Sequence, residues 1–290
     1  MSRGLIVYFS QGGTTARVAE SIAAGLREAE YRVDLFNLQD RQPPSVEGYD
    51  LLGVGAPAYY FRLPFNVQDY VSGLPDLAGL PVLAFILHGT VHGDAGNQLR
   101  RALAQKSGRE VGYYRCHGAG QFAPYLNEGY QFSPGHPRPQ DLEEAAAFGR
   151  QVADRVAGEA YVKPGDDPPA AAIYRFERFV TNRWLTEKLY SRLFRVDRDR
   201  CTACGTCVQN CPTDNIVEDG EGHPIWGRDC ILCLYCDWNC PEAAISSPIN
   251  GWPLWPIFWP FIRYNVWAGA RDPSLDHARV KVDEGRIQQL

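Results

Sequence analysis

Between Gly4 and Ala157 short apolar runs alternate with longer stretches in which apolar residues return every three or four positions. The short runs, Leu5 to Phe9, Arg32 to Phe36, Leu51 to Gly55, Val82 to Leu87 and Val111 to Cys116, predict five strands. The periodic stretches, Thr15 to Glu28, Asn66 to Gly73, Asn97 to Lys106 and Asp141 to Ala157, predict helices. In the first of them Val18, Ala19, Ile22, Ala23 and Leu26 form one apolar face. Strand and helix in alternation predict an α/β domain, a doubly wound five-stranded parallel sheet with helices on both faces.

The rhythm stops near residue 160. Val162 to Ala172, with its run of prolines, predicts a joint between modules. Beyond it Ile173, Phe176, Val180, Trp184, Leu189 and Leu193 make an apolar stripe opposite Arg175, Arg178, Lys188, Arg192 and Arg195. One bridging helix that packs by that stripe is expected; its rival is a helix lying on an anionic lipid surface. Residues 252–262 combine Trp252, Trp255 and Trp259 with Pro253, Pro256 and Pro260. Proline at that density predicts a non-helical run, too short to span a bilayer, wrapped on the protein's own apolar surface. Arg271 to Leu290 is polar and reads as a surface strand or loose tail. The expected organisation is thus a sheet domain at 1–160, a linker and bridging helix at 161–196, a small α+β domain at 197–250 and an aromatic-rich extension at 251–290.

Eight of the nine cysteines lie in that small domain, in two copies of one spacing: Cys201, Cys204, Cys207, Cys211-Pro212 and Cys230, Cys233, Cys236, Cys240-Pro241. Two Cys-x2-Cys pairs also suit zinc, but zinc needs neither the third cysteine of each run nor the Cys-Pro step. The spacing resembles that of bacterial two-cluster ferredoxins, whose fourth cysteine ligates the other cluster. The resemblance implies two 4Fe-4S clusters, one held by Cys201, Cys204, Cys207 and Cys240, the other by Cys230, Cys233, Cys236 and Cys211.

A second chemical signal follows the first predicted strand. Ser10-Gln11-Gly12-Gly13-Thr14-Thr15 joins glycines, hydroxyls and a helix start, the parts of a phosphate-binding turn. It lacks the Walker lysine and the dinucleotide fingerprint, so ATP and NAD are poor ligands for it. Gly118 to Ala123 fits a dinucleotide fingerprint only superficially, since Pro124 follows and no helix is expected there. The segment Tyr8 to Thr15 resembles the flavodoxin phosphate loop, although Gly12 stands where a threonine is common. Gly53 to Tyr60 is similar to the flavodoxin segment that sets an aromatic ring on the isoalloxazine, with Tyr59 the first choice and Tyr60 the second. Leu87 to Asp94 is similarly placed to the loop on the flavin's other side. Together with the cysteine runs, the chain from Gly4 to about Ser247 resembles a flavodoxin-ferredoxin fusion. That resemblance implies FMN, held by Ser10, Gln11, Gly12, Gly13, Thr14, Thr15, Pro57, Ala58, Tyr59, Tyr60, His88 and Gly89.

Charge narrows the partners. The net charge of −5 disfavours nucleic acid, and residues 199–250 carry Arg200 and Arg228 against eight acids. That acidic surface suits either simple solvation or a basic face on a redox partner protein. Contact with a membrane surface through the aromatic C-terminal segment is not expected. The N-terminus runs directly into a strand and thiols are reserved for clusters, so a cytoplasmic protein is expected. Cys116 reads as a small buried hydrophobe. The histidines, His88, His92, His117, His136, His223 and His277, show no metal-ligand spacing and read as structural or surface residues, with His88 and His92 near the flavin by position.

The leading expectation is an electron-transfer flavo-iron-sulfur protein that relays electrons between FMN and two clusters, to or from a redox partner. The alternative is an FMN-dependent reductase of a small organic substrate or quinone, which needs an open pocket lined by Tyr59, Tyr60, Phe61 and His92. A redox or iron sensor is a third reading, without a nucleic-acid-binding module to support it.

Overall fold

The computed structural model describes residues 1–40, 43–158, 161–169, 172–283 and 286–289. Of the expected joint, Ala170 and Ala171 lie outside the described residues, as do Glu284, Gly285 and Leu290 of the tail. The chain divides into two compact units, one of residues 1–118 and 135–179, the other of 119–134 and 180–290.

In the first unit five parallel strands, β1 (Arg3–Tyr8), β2 (Arg32–Asn37), β3 (Leu51–Pro57), β4 (Pro81–His88) and β5 (Arg109–His117), stand in the order β2-β1-β3-β4-β5. Leu51 to Ala56 and Val82 to Leu87 are buried without a break, as strands covered on both faces must be. Helices α1 (Thr14–Glu28), α2 (Phe65–Gly73) and α3 (Ala95–Gln105) begin within two residues of their predicted starts. The helix Pro139–Gly158, α5, is fed by a loop through the second unit, which holds the short helix α4 (Ala123–Asn127). Helices α1 and α5 pack on each other over Ile6, Leu83, Phe85 and Val111. They meet at glycine: a Cβ on Gly25 would lie 1.9 Å from the Ala146 carbonyl oxygen, and one on Gly149 would lie 2.2 Å from that of Ile22. The strand order reverses between β1 and β3, and sheets of this kind bind ligands at the carboxyl ends of the strands at such a switch point.

The expected joint is a strap. Arg100, 2 % exposed, donates to the carbonyls of Pro164 (2.6 Å) and Gly165 (3.0 Å), and Asn97 and Asp167 bond each other through backbone and side chain (2.8 and 3.0 Å). Tyr113 Oη donates to Asp167 at 2.6 Å. These bonds fix residues 164–167 against α3 and β5.

Two expectations about the second half are corrected, and one left open is decided. The single bridging helix is broken into α6 (Ala172–Val180), α7 (Arg183–Lys188) and a 3-10 turn (Tyr190–Leu193), because Asn182 caps α7 by accepting from the Leu185 amide at 3.1 Å. Its apolar stripe faces outward, with Phe176 49 % and Trp184 66 % exposed, while Glu177, Thr181 and Thr186 are buried. The side chain of Ile173 lies outside the described residues. The proline-rich run is helical from Trp255, where α10 (Trp255–Gly269) begins with Pro256 in its first turn and Pro260 inside. Pro256 costs nothing in a first turn, and the penalty of about 3 kcal/mol for Pro260 is offset by burial of Phe258, Ile262 and Val266, each worth about 1.5–3 kcal/mol. The tail is ordered into β11 (His277–Asp283) and β12 (Arg286–Gln289). β11 pairs antiparallel with β6 (Tyr130–Phe132), and Val266 and Leu275 pack with Phe132. Residues 119–134 thus leave the front half of the sequence to join the C-terminal unit, and α4 is the helix that follows Gly118 to Ala123 after all.

Candidate cofactor sites

The cysteine module repeats itself in backbone as well as in sequence. β7 (Arg195–Val196) pairs with β10 (Ile245–Ser246), β8 (Ile216–Glu218) with β9 (Pro224–Trp226), and each cysteine run enters a one-turn helix, α8 (Thr206–Gln209) or α9 (Tyr235–Trp238). Positive φ recurs at matching places: Ala203 and Leu232 before the second cysteine, Gly205 and Leu234 after it, Asp214 and Ala243 three residues after the fourth. Left-handed backbone costs a side-chain-bearing residue about 1–2 kcal/mol, and it turns successive amides inward, the geometry that receives anionic clusters.

Two hollows result. One, about 380 Å³ of atom-free space, is lined by Cys201, Cys204, Cys207 and Cys240; the other, about 340 Å³, by Cys211, Cys230, Cys233 and Cys236, with Cys207 on its rim. The fourth cysteine of each run therefore lines the other run's hollow. Among the described residues no three His, Cys, Asp or Glu side chains converge as ligands to one metal ion. The thiols of both runs line these spaces. The hollow of Cys230 is apolar, with Phe194, Ile216, Ile231 and Leu234 in its wall, and burial raises the thiol pKa values of Cys230 and Cys236. Cys207 is pushed up to about 11 by burial, whereas Cys204 is lowered by the Thr206 hydroxyl 3.3 Å away. The Leu232 and Ala244 amides donate to Cys230 Sγ (3.3 Å) and Cys240 Sγ (3.4 Å), and such bonds tune a cluster's potential. The Trp226 Nε1 is buried and approaches the Cys236 thiol without reaching hydrogen-bond geometry, a donor left over in the wall.

At the switch point of the parallel sheet, Gly13 caps α1 with φ +81, and nothing lies within 4 Å of where its Cβ would be. Ser10 is pinned by Asn37, which accepts from its amide (3.1 Å) and donates to its carbonyl (2.9 Å), while its Oγ takes the Ala16 amide at 3.2 Å. Ser10 Oγ is thereby spent as an N-terminal acceptor. The amides of residues 11–15 have no acceptor among the described residues, and Gln11 Nε2 is buried without a partner. Open donors over a helix start fit a phosphate. Tyr59 Oη donates to Gln11 Oε1 at 3.1 Å and its ring packs edge-on to Phe9, centroids 6.1 Å apart. Tyr60 adopts φ +49 in the turn closed by the reciprocal Tyr59 and Arg62 backbone bonds of 3.0 Å. Pro57 ends β3, and the Ala58 amide bonds the Leu87 carbonyl at 2.7 Å. The loop 10–15, the segment 57–60 and His88-Gly89 thus share one edge of the sheet. Phe61, expected on an open pocket wall, is 6 % exposed and stacks on Tyr174 at 4.2 Å.

Sequence spacing missed one grouping. Of six scattered histidines four form a row on this edge: His92 to His88 5.5 Å between ring centroids, His88 to His117 4.4 Å, His117 to His136 5.6 Å. The register of β4 with β5 pairs His88 with His117, and both end their strands. A last-residue histidine on two neighbouring strands was the available signal, usable only with the strand order known. Cys116 is buried on β5 as expected, and burial pushes its thiol up to about 12.

Two domain families match parts of the chain. Residues 5–124 match the flavodoxin domain family and residues 194–217 the 4Fe-4S binding domain family. An uncharacterized protein of Methanocaldococcus jannaschii is 25 % identical over 160 residues, 52 % of this chain and 97 % of that protein. Flavodoxin 1 of Bacillus cereus is 20 % identical with a TM-score of 0.44, over 53 % of this chain and 98 % of that one. A flavodoxin from the domain Archaea is 18 % identical with a TM-score of 0.42, over 53 % and 99 %.

Proposed function

We propose that this chain, a flavodoxin domain joined to a 4Fe-4S binding domain, is an electron-transfer protein that relays electrons between one FMN and two 4Fe-4S clusters, to or from a redox partner protein. FMN, when bound, exchanges one or two electrons and a cluster exchanges one, so the pair converts between the two kinds of traffic. The observation that carries the reading is the crossed lining of the two hollows, which gives each four thiols drawn from both runs.

In this reading residues 11–15 bind the phosphate through their amides and the Gln11 amide group. Ser10 holds the turn, and Tyr59, fixed by Gln11 and Phe9, offers its ring to the flavin. The buried thiols of Cys230 and Cys236 bind as thiolates to iron, whose positive charge offsets the desolvation that raises them. The acidic run 199–250 steers a basic partner face. Burial of Phe61 favours the carrier over a reductase with an open substrate pocket.

Anaerobic purification with iron, sulfide and flavin counted per chain tests this. Two cubanes and one flavin give about eight irons and one FMN. Cys211→Ser is expected to halve the iron and Cys116→Ser to leave it whole. Bound zinc in place of iron would overturn the cluster reading, and failure of the flavin-free chain to bind added FMN would overturn the flavin reading.

A further inference from the structure

The duplication within the cysteine module is imperfect at one wall. The offset that lays Cys201 on Cys230 and Cys211 on Cys240 lays the exposed Asp197 on Trp226. Trp226 lines the hollow of Cys211, Cys230, Cys233 and Cys236, whereas among the described residues no aromatic ring lines that of Cys201. The pairing of β8 with β9 sets Trp226 opposite Ile216, and its ring lies parallel to that of Phe194, with centroids 5.2 Å and planes 13° apart. The next residue is held from both sides: the Gly227 amide donates to the Asn215 carbonyl at 2.6 Å, and the Gly227 carbonyl accepts from Ser191 Oγ at 2.7 Å. Ser191 and Asn215 are themselves buried and bond each other at 3.1 Å. An indole so fixed keeps its edge at the hollow.

That edge carries a donor. The Trp226 Nε1 is buried, has no hydrogen-bond partner and lies beside Cys236. A buried N–H without an acceptor is destabilising, and native chains nearly always supply one. A neutral thiol accepts weakly, but the same sulfur on iron is a thiolate and accepts strongly. The surrounding wall is apolar, with Ile216, Ile231 and Leu234, and such a wall disfavours added negative charge. An N–H directed at the sulfur acts in the opposite sense, because it holds the more negative, reduced form better than the oxidised one.

We propose that Trp226 is a positioning residue for the cluster at Cys211, Cys230, Cys233 and Cys236: its indole N–H donates to the Cys236 sulfur and raises the reduction potential of that cluster and not of the other. This rests on the cluster reading above. The electron comes from a redox partner or a chemical reductant. No bond forms or breaks at Trp226, and the indole keeps its proton in both redox states. Asp197 supplies no such donor to the first hollow, so the two clusters are tuned separately although their ligand spacing is the same.

The test uses the full chain, purified anaerobically with both clusters in place. Trp226→Phe keeps a ring against Phe194 and removes the N–H; a second form carries 3-benzothienylalanine at position 226, with the shape of indole and sulfur in place of the N–H. Iron is counted per chain, and the midpoint of each cluster is read from a redox titration followed by electron paramagnetic resonance. About eight irons are expected in every form. Reduction of one cluster should become at least about tenfold less favourable, a fall of about 59 mV for one electron, while the other stays within about twofold. In the reduced parent with nitrogen-15 in its indoles, electron-nuclear double resonance should show a nitrogen coupling that Trp226→Phe lacks. Full iron with both midpoints unmoved, or with both lowered alike, overturns the proposal and leaves the cluster reading intact. If Trp226→Phe loses iron, the benzothienylalanine form decides by the same criterion, and loss of iron from both forms makes the indole a packing element and also overturns the proposal. A parent chain that holds no iron sinks both readings.

Discussion

Arg100 is the side chain on which the strap depends, and its removal gives a sharp test of that dependence. Its guanidinium is 1 % exposed and the Glu110 carboxylate 9 %, with Nε to Glu110 Oε1 at 3.0 Å and Nη2 to the same oxygen at 2.9 Å. Two of its remaining protons go to the Pro164 and Gly165 carbonyls. Arg100→Met keeps the stem but leaves Glu110 buried with Lys163, 3.3 Å away and half exposed, as its remaining cation. Breaking a buried pair on one side costs about 3–5 kcal/mol. Arg100→Met with Glu110→Leu removes both buried charges and leaves the two carbonyls short of a donor, about 1–3 kcal/mol, while Lys163 and Asp166, both more than half exposed, lose a partner that solvent replaces. Hydrogen exchange read by mass spectrometry on the β5 peptide 109–117 reports the opening free energy of this region directly. Exchange there should quicken roughly a few hundred- to a few thousand-fold in the single variant, since each 1.4 kcal/mol is about tenfold, and substantially less in the double. A double variant as damaged as the single one, or a single variant that loses under about 1 kcal/mol, would refute the claim that Arg100 and Glu110 act as a buried pair.

Further outcomes follow from the same geometry. His88, lowered to about 3 in the folded chain and near 6.5 when unfolded, binds its proton more readily unfolded, so its contribution to stability is complete above pH 6.5 and declines as pH falls toward 3. His88→Asn should flatten the urea-midpoint profile between pH 6.5 and 5, where the slope from one such group reaches about 1.4 kcal/mol per pH unit. An unaltered slope would place the His88 proton elsewhere. Gly13→Val, forced to hold φ +81, should weaken FMN binding by about tenfold from a strain of roughly 1–2 kcal/mol, measured by flavin fluorescence quenching. Iodoacetamide at pH 8 should leave Cys116 unmodified in the folded chain and alkylate it after unfolding, checked by peptide mass. Phe258→Ala should cost about 3–5 kcal/mol in tryptophan-monitored unfolding if α10 is held by its buried face.

Periodicity alone delivered the first unit. Five strands, their helices and the glycine-rich turn after β1 were legible because a strand buried on both faces, an amphipathic helix and a phosphate turn are each specified within about fifteen neighbouring residues. Cysteine spacing delivered the cluster chemistry for the same reason, since three ligands of a cube come from seven consecutive positions. Legibility failed where distant parts of the chain decide the outcome. Pro260 sits in a helix because Phe258, Ile262 and Val266 find a buried face, and no local propensity reports that face. The stripe of Phe176, Trp184 and Leu189 is periodic yet exposed, since Asn182 breaks the helix and turns Glu177, Thr181 and Thr186 inward. Residues 119–134 read as part of the front domain, but Tyr130 to Phe132 pair with a strand nearly 150 positions later. Four histidines between 88 and 136 become one row only when β4 is laid beside β5, and Asp167 reaches its end only because Arg100 draws the strap down. The sequence by itself thus pointed to the cofactors proposed for this protein, because most of the residues proposed to hold them lie in short local runs. The tertiary structure decided which protons and charges surround them, because that environment is assembled from strands and loops far apart along the chain.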